Sequence, residues 1–264
     1  MSTMIHRLHT AVFLWRRNQW RGSRRFRIGP AIPIDRPIFL LGTQGSGLTL
    51  LSRIMQRNPE VVTVTGPARY WTGSDEAQNV LEGHLPADVS WHHDRARGEN
   101  HNGIFASDAL LPLYVRGAED VRPGDAARYL GTLQGLLRMH GRTPDSPGRF
   151  LDKSQTLSLR VGYLTAALSD CDPRFVLMLR NPFVMIWRSA TGHGVLGRKA
   201  IPEEERLELA IQHWRNLYDT ALAQENRCKM LIVRYEDMLN APEEAVRRVC
   251  DFAGLDFETA MMPA

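Results

Sequence analysis

Residues 39–51, "FLLGTQGSGLTLL", run from an apolar strand through a glycine-rich turn into a helix. Gly42, Gly45 and Gly47 allow main-chain conformations that other residues rarely adopt, so that backbone N–H groups can converge on one point. The helix that follows adds about half a positive charge there, the arrangement that binds anions at helix N-termini. The stretch nearly spells the P-loop GxxxxGK[ST], with Gly42, Gly47 and Thr49 in register, yet Leu48 stands where the phosphate-touching lysine belongs. Thr49, in the first helical turn, can still offer its hydroxyl. Such a turn either packs strand against helix or holds a phosphate. Its place after the first strand of an α/β pattern favours the phosphate.

That pattern continues down the chain. "EVVTVTG" (60–66), "RFLDKSQ" (149–155), "RFVLMLRNP" (174–182) and "KMLIVRYED" (229–237) read as strands, and helices are predicted over 49–57, 125–140, 157–168, 183–190, 202–224 and 242–252. Continuous apolar strands alternating with helices predict an α/β three-layer sandwich with a mostly parallel, buried central sheet. Residues 67–124 break the pattern with Gly, Pro, His and Asp, and a stretch this long is expected to shape a functional site. The prolines of "GPAIPIDRP" (29–37) read as a linker.

The chain has 264 residues and a net charge of +4, but the charge is uneven. Residues 1–34 carry seven arginines and no acid, leaving 26 basic against 29 acidic side chains elsewhere. The basic character therefore belongs to an N-terminal arm, residues 1–35, and gives no reason to expect a nucleic-acid partner for the body. Within the arm Ile5, Leu8, Val12 and Trp15 recur at helical spacing. Either a basic helix docks on the acidic body, or the arm makes peripheral contact with an anionic membrane. A cleaved transit peptide is a third reading. Three cysteines without CxxC spacing suit a reducing compartment, and no apolar run is long enough to cross a membrane, so a soluble cytoplasmic protein is expected.

A nucleoside triphosphatase would need a Mg²⁺-holding carboxylate at the end of an apolar strand. The most apolar strand ends instead in Arg180, with Asp152 and Glu236–Asp237 as weaker candidates. Arginine in that place suits an anion taken without a metal, and no metal site is expected.

With these features in view, "PIFLLGTQGSGLTLLSRIMQRNPEV" resembles the 5′-phosphosulfate loop of sulfotransferases that use 3′-phosphoadenosine 5′-phosphosulfate (PAPS). "RFVLMLRNPFVMIWRS" is similar to the family's 3′-phosphate motif, and "LIVRYEDMLNAPEEAVRRVCDFAGL" to its late strand, Y-E-D turn and helix. The likeness spans residues 36–258 and implies a P-loop-like sulfotransferase domain over 36–264, with residues 67–124 at the acceptor site. It also accounts for the missing lysine, because PAPS has no γ-phosphate. The resemblance implies that Gly45, Ser46, Gly47, Leu48 and Thr49 wrap the 5′-phosphosulfate, that Arg180 binds the 3′-phosphate, and that Tyr235 lies by the adenine.

Several positions depart from the family pattern. Gly45 replaces a lysine or arginine, so Lys153, one of three lysines in the chain, is the expected cation on the transferred group. The family's serine eight residues beyond the arginine is here Arg188, with Ser189 one further; Arg188 is the preferred 3′-phosphate contact and Ser189 the reserve. Gln155 occupies the place of a histidine base. Asp75 and Glu76 are the candidates for the catalytic base, or they cap a helix together with Ser74. His84, His92, His93 and His101 lie in the same irregular region without metal-ligand spacing. The chain stops at "ETAMMPA", where many relatives continue, so a short member or a shortened chain is expected.

The implied activity is transfer of a sulfuryl group from PAPS to a hydroxyl or amine of a glycan, lipid or small molecule. Two alternatives stand beside it: a small-molecule kinase with a degenerate P-loop, and a non-catalytic nucleotide-binding or membrane-recruited protein.

Overall fold

In a strand, successive side chains point to opposite faces, so a run that is apolar at every position is buried on both. That is the observed state of the sheet. A computed structural model describes residues 23–64, 104–191 and 201–262. Its strands are β1 (Ile38–Leu41), β2 (Val61–Thr63), β3 (Arg149–Asp152), β4 (Arg174–Leu179) and β5 (Lys229–Arg234). All pair in parallel, in the order β2-β3-β1-β4-β5. The described helices are α1 (Arg24–Arg27), α2 (Leu48–Met55), α3 (Leu111–Tyr114), α4 (Asp125–Met139), α5 (Val161–Ala167), α6 (Pro182–Ala190), α7 (Glu203–Leu222), α8 (Tyr235–Asn240) and α9 (Pro242–Ala253).

Alternation splits the core in two. Phe39, Leu41, Phe175 and Leu177 face α4, α5 and α7, while Ile38, Leu40, Val176 and Met178 face α2, α8 and α9. The predicted three-layer α/β sandwich is what forms.

Local differences have local causes. The helix expected over 157–168 is a 3₁₀ turn, Gln155–Leu159, followed by α5. The break falls at Arg160, whose Nε donates to the Tyr114 carbonyl at 3.1 Å. The strand expected to include Tyr235–Asp237 ends at Arg234, and those residues open α8. Of the segment 60–66, residues Val61–Thr63 form β2, and residues 65 and 66 lie outside the described residues. The stretch expected to be a linker is laid against the body. Ile32 is fully buried with Val62 and Leu137, and Arg138 donates to the carbonyls of Phe26 and Pro30. Residues 1–22 of the arm lie outside the described residues, and with them the helical stripe from Ile5 to Trp15.

α1 docks on α4 across Gly135, where an added Cβ would stand 2.8 Å from the Phe26 carbonyl oxygen and 2.9 Å from its ring. Gly135→Ala should gain up to about 1 kcal/mol of helix propensity but lose more to overpacking, for a net loss of about 1–2 kcal/mol. Urea unfolding of the variant should show a lower midpoint at unchanged slope.

Candidate functional site

The connection from β1 leaves toward the β2 edge, whereas that from β4 leaves toward the β5 edge. Between two such neighbours the carboxyl ends of the strands open a crevice, which in parallel sheets is where ligands bind. Here the loop 42–47 lies after β1 and Arg180 after β4.

Backbone conformations that favour glycine shape the loop. Gly42, Gly45 and Gly47 have φ of 142°, 84° and 105°. Gly42 N–H donates to Ser158 Oγ at 2.9 Å, tying the loop to the turn that follows β3. Tyr218 of α7 donates its hydroxyl to the Met178 carbonyl at 2.8 Å and lies 3.5 Å from Thr43 Oγ1. The buried Ser46 turns inward, with its hydroxyl on the Thr43 carbonyl at 2.8 Å and its N–H on the same oxygen at 3.2 Å. Leu48 sends its side chain into the core and is 3 % exposed. The first backbone bond of α2 runs from Leu51 N–H to the Gly47 carbonyl. The main-chain N–H groups of Leu48 and Thr49 precede it, at the position where helices leave donors for an anion, and Thr49 is exposed. Of the five residues expected to wrap a phosphosulfate, Ser46 and Leu48 turn their side chains into the protein and leave only their main chain at the loop.

The β4–β5 register pairs Leu179 with Arg234, which sets Arg180 beside Tyr235. The Arg180 guanidinium lies over the Tyr235 ring, 4.1 Å from its centroid, and its Nη1 donates to the Gly45 carbonyl at 2.7 Å. Tyr235 in turn faces the loop, for a Cβ on Gly47 would stand 2.5 Å from its Cδ2. Glycine loop, arginine and tyrosine thus form one connected group. Glu236 accepts the Asn181 N–H at 2.9 Å; that bond first, then nearby Arg234 and Arg180, hold its carboxyl below the usual glutamate value.

Lys153 is 4 % exposed, one residue beyond β3, whose Asp152 is in register with Phe39 of β1. It reaches the same end of the sheet as the loop. Asp152 is fully buried and accepts the Ser154 hydroxyl at 2.8 Å. The neighbours at the end of α6 separate as one residue of helical rotation requires. Ser189 lines a small cavity with Thr43 and Gln44 of the loop, whereas Arg188 is exposed. Asp75, Glu76 and the four loop histidines lie outside the described residues. Among the described residues no cluster of His, Cys, Asp and Glu could hold a metal ion, and no helix is long and apolar enough to cross a membrane.

Sequence reasoning missed the contribution of α7. Tyr218 supports the loop, and His213 and Asn216 are buried, with Asn216 Nδ2 on the Ala106 carbonyl at 2.9 Å. Polar residues three apart on the inward stripe of a helix were the available signal.

The fold and site together define a parallel α/β protein with a glycine loop after β1 and an arginine after β4 at the same carboxyl edge of the sheet. Residues 37–259 match the sequence model of the sulfotransferase family, and the chain belongs to that family. Among solved structures, it is similar to sulfotransferase STF1 from Mycobacterium tuberculosis H37Rv, at 16% identity and TM-score 0.56 over 93% of this chain and 74% of that one. Sulfotransferase STF9 from Mycobacterium avium is also similar, at 15% identity and TM-score 0.53 over 97% and 71%. Comparison with curated protein sequences finds no match.

Proposed function

We propose that this protein moves the sulfuryl group of PAPS to a hydroxyl or amine of an acceptor. The observation that carries the reading is the direct link between a glycine cradle and a guanidinium, Arg180 Nη1 to the Gly45 carbonyl at 2.7 Å. PAPS presents two separate anionic groups to a protein, and this site has two separate means of holding them. The N–H groups opening α2 and the Thr49 hydroxyl hold the 5′-phosphosulfate. Arg180 takes the 3′-phosphate with Arg188 or Ser189, and Tyr235 lies by the adenine. Lys153 supplies the positive charge that Gly45 does not.

The acceptor oxygen loses its proton to a base, Asp75 or Glu76, as it attacks sulfur in line. An O–S bond forms, the bond between sulfur and the bridging phosphate oxygen breaks, and that oxygen keeps the electron pair. Lys153 and the loop N–H groups stabilise the charge developing on it, leaving adenosine 3′,5′-bisphosphate. Residues 67–124 shape the acceptor site, for a glycan, lipid or metabolite, and the arm makes any peripheral membrane contact of a cytoplasmic enzyme. The kinase alternative would need Mg²⁺ on one of its carboxylates; Asp152 Oδ1 accepts the Ser154 hydroxyl and Glu236 Oε1 the Asn181 N–H.

Calorimetric titration with adenosine 3′,5′-bisphosphate and with ADP, each with and without Mg²⁺, tests the reading. The bisphosphate should bind more tightly, and Mg²⁺ should change nothing. Mg²⁺-dependent preference for ADP would return the kinase. Gly47→Ala should weaken the bisphosphate at least about 10-fold, because the methyl would displace the Tyr235 ring while φ of 105° strains any side chain. Circular dichroism should show the fold retained.

A further inference from the structure

Beside the loop, between α6 and α7, lies a cavity of about 10 Å³, room for roughly one oxygen the size of a water molecule. Thr43, Gln44, Ser189, His213 and Trp214 supply its polar lining, and no carboxylate is among the described residues of its walls. His213 is 4 % exposed. Its Nδ1 accepts the Ala106 N–H at 3.1 Å, so the neutral ring carries its hydrogen on Nε2. Phe105 meets the ring edge-on at 4.7 Å and helps to keep it in place. Burial pushes the His213 pKa down to about 3, so the ring is uncharged near neutral pH. Nε2 of His213 and Nε1 of Trp214 are both buried, and neither has a hydrogen-bond partner among the described residues. Folded proteins seldom leave buried donors unanswered, and two on consecutive residues lining one cavity call for a shared acceptor atom.

We propose that this cavity is an oxyanion subsite that takes one oxygen of the bound donor, accepting from His213 Nε2–H and Trp214 Nε1–H. The Ser189 hydroxyl and the Gln44 side-chain amide add donors from the loop and α6. The buried nitrogens can only donate, so the ligand atom is an acceptor, and the place of the cavity beside the glycine loop makes an anionic oxygen of the donor the fitting one. Neutral donors held in a buried pocket stabilise such an oxygen through dipoles fixed in advance, without a charged partner. The identity of the donor rests on the function proposed above. The oxygen belongs to the sulfuryl group or to the 3′-phosphate, two sources of one chemistry.

The test follows the indole N–H resonance of Trp214 in ¹⁵N-labelled full-length protein, assigned by its loss in Trp214→Phe. Inorganic sulfate, adenosine 3′,5′-bisphosphate and adenosine 5′-phosphosulfate are titrated separately. The resonance should shift downfield with at least one nucleotide; the phosphosulfate alone would identify the sulfuryl oxygen, and the bisphosphate the 3′-phosphate. Trp214→Phe and His213→Asn, whose Oδ1 can still accept from Ala106, should each weaken that nucleotide about 5- to 10-fold. Both variants shorten side chains packed on Phe105 and Tyr218, so their urea midpoints should fall modestly, and affinities are compared once circular dichroism shows the fold retained. Nucleotides that move the Gly45 and Gly47 amides but leave Trp214 and both variants' affinities unchanged would overturn the subsite while sparing the proposed function. If neither nucleotide binds, the proposed function fails and the donor oxygen with it; a shift with sulfate would then still show an oxyanion pocket, and no shift would overturn the pocket as well.

Discussion

Lys153→Ala is expected to lower turnover about 100-fold while changing donor affinity little. Lys153 follows β3, at the sheet end that carries the glycine loop, and its burial fixes where it can act. In the proposed reaction its charge matters most when negative charge gathers on the departing oxygen, so the expected loss falls on the transition state and not on the ground state. A 100-fold drop corresponds to about 2.7 kcal/mol, within the range for removal of one preorganised electrostatic group. Single-turnover rates beside bisphosphate affinity separate the two effects. Full activity would remove Lys153 from the leaving-group role.

Returning a cation to the loop is a weaker rescue than the family comparison suggests. Gly45 is exposed, and a Cβ would meet only Met185, at 3.4 Å from its Cε. Its φ of 84°, however, lies where side chains are strained, at a cost of about 1–3 kcal/mol. Gly45→Arg in the Lys153→Ala background should therefore restore at most a small part of the rate.

Arg180→Ala should weaken adenosine 3′,5′-bisphosphate roughly 10- to 100-fold, the equivalent of a charge-assisted contact of about 1.5–3 kcal/mol. Adenosine 5′-phosphosulfate, which lacks the 3′-phosphate, should lose much less. Because Arg180 also holds the Gly45 carbonyl and stacks on Tyr235, some loss is expected for both ligands. Equal losses would mean that the arginine organises the loop without reading the 3′-phosphate. Calorimetry with both nucleotides on the same variant distinguishes these outcomes.

Much of this was legible in the residues themselves. A strand apolar at every position must be covered on both faces, so Ile38–Leu41 and Phe175–Met178 alone implied a sandwiched parallel sheet. Glycines at 42, 45 and 47 marked the loop because φ of that sign is a local property, and Arg180 was marked by ending a buried strand. Other features depended on distant parts of the chain. The inward turn of Ser46 and the burial of Leu48 follow from what the rest of the fold packs against them. Ser189 was separated from Arg188 by where α7 lies against α6. His213 and Trp214 looked like ordinary residues of an amphipathic helix, since an unanswered buried donor is defined only by neighbours that arrive from α6 and the loop after β1. Local geometry and burial are written in short stretches of sequence, whereas the partners of a polar atom are decided by packing between separate segments, here the loop after β1, α6 and α7.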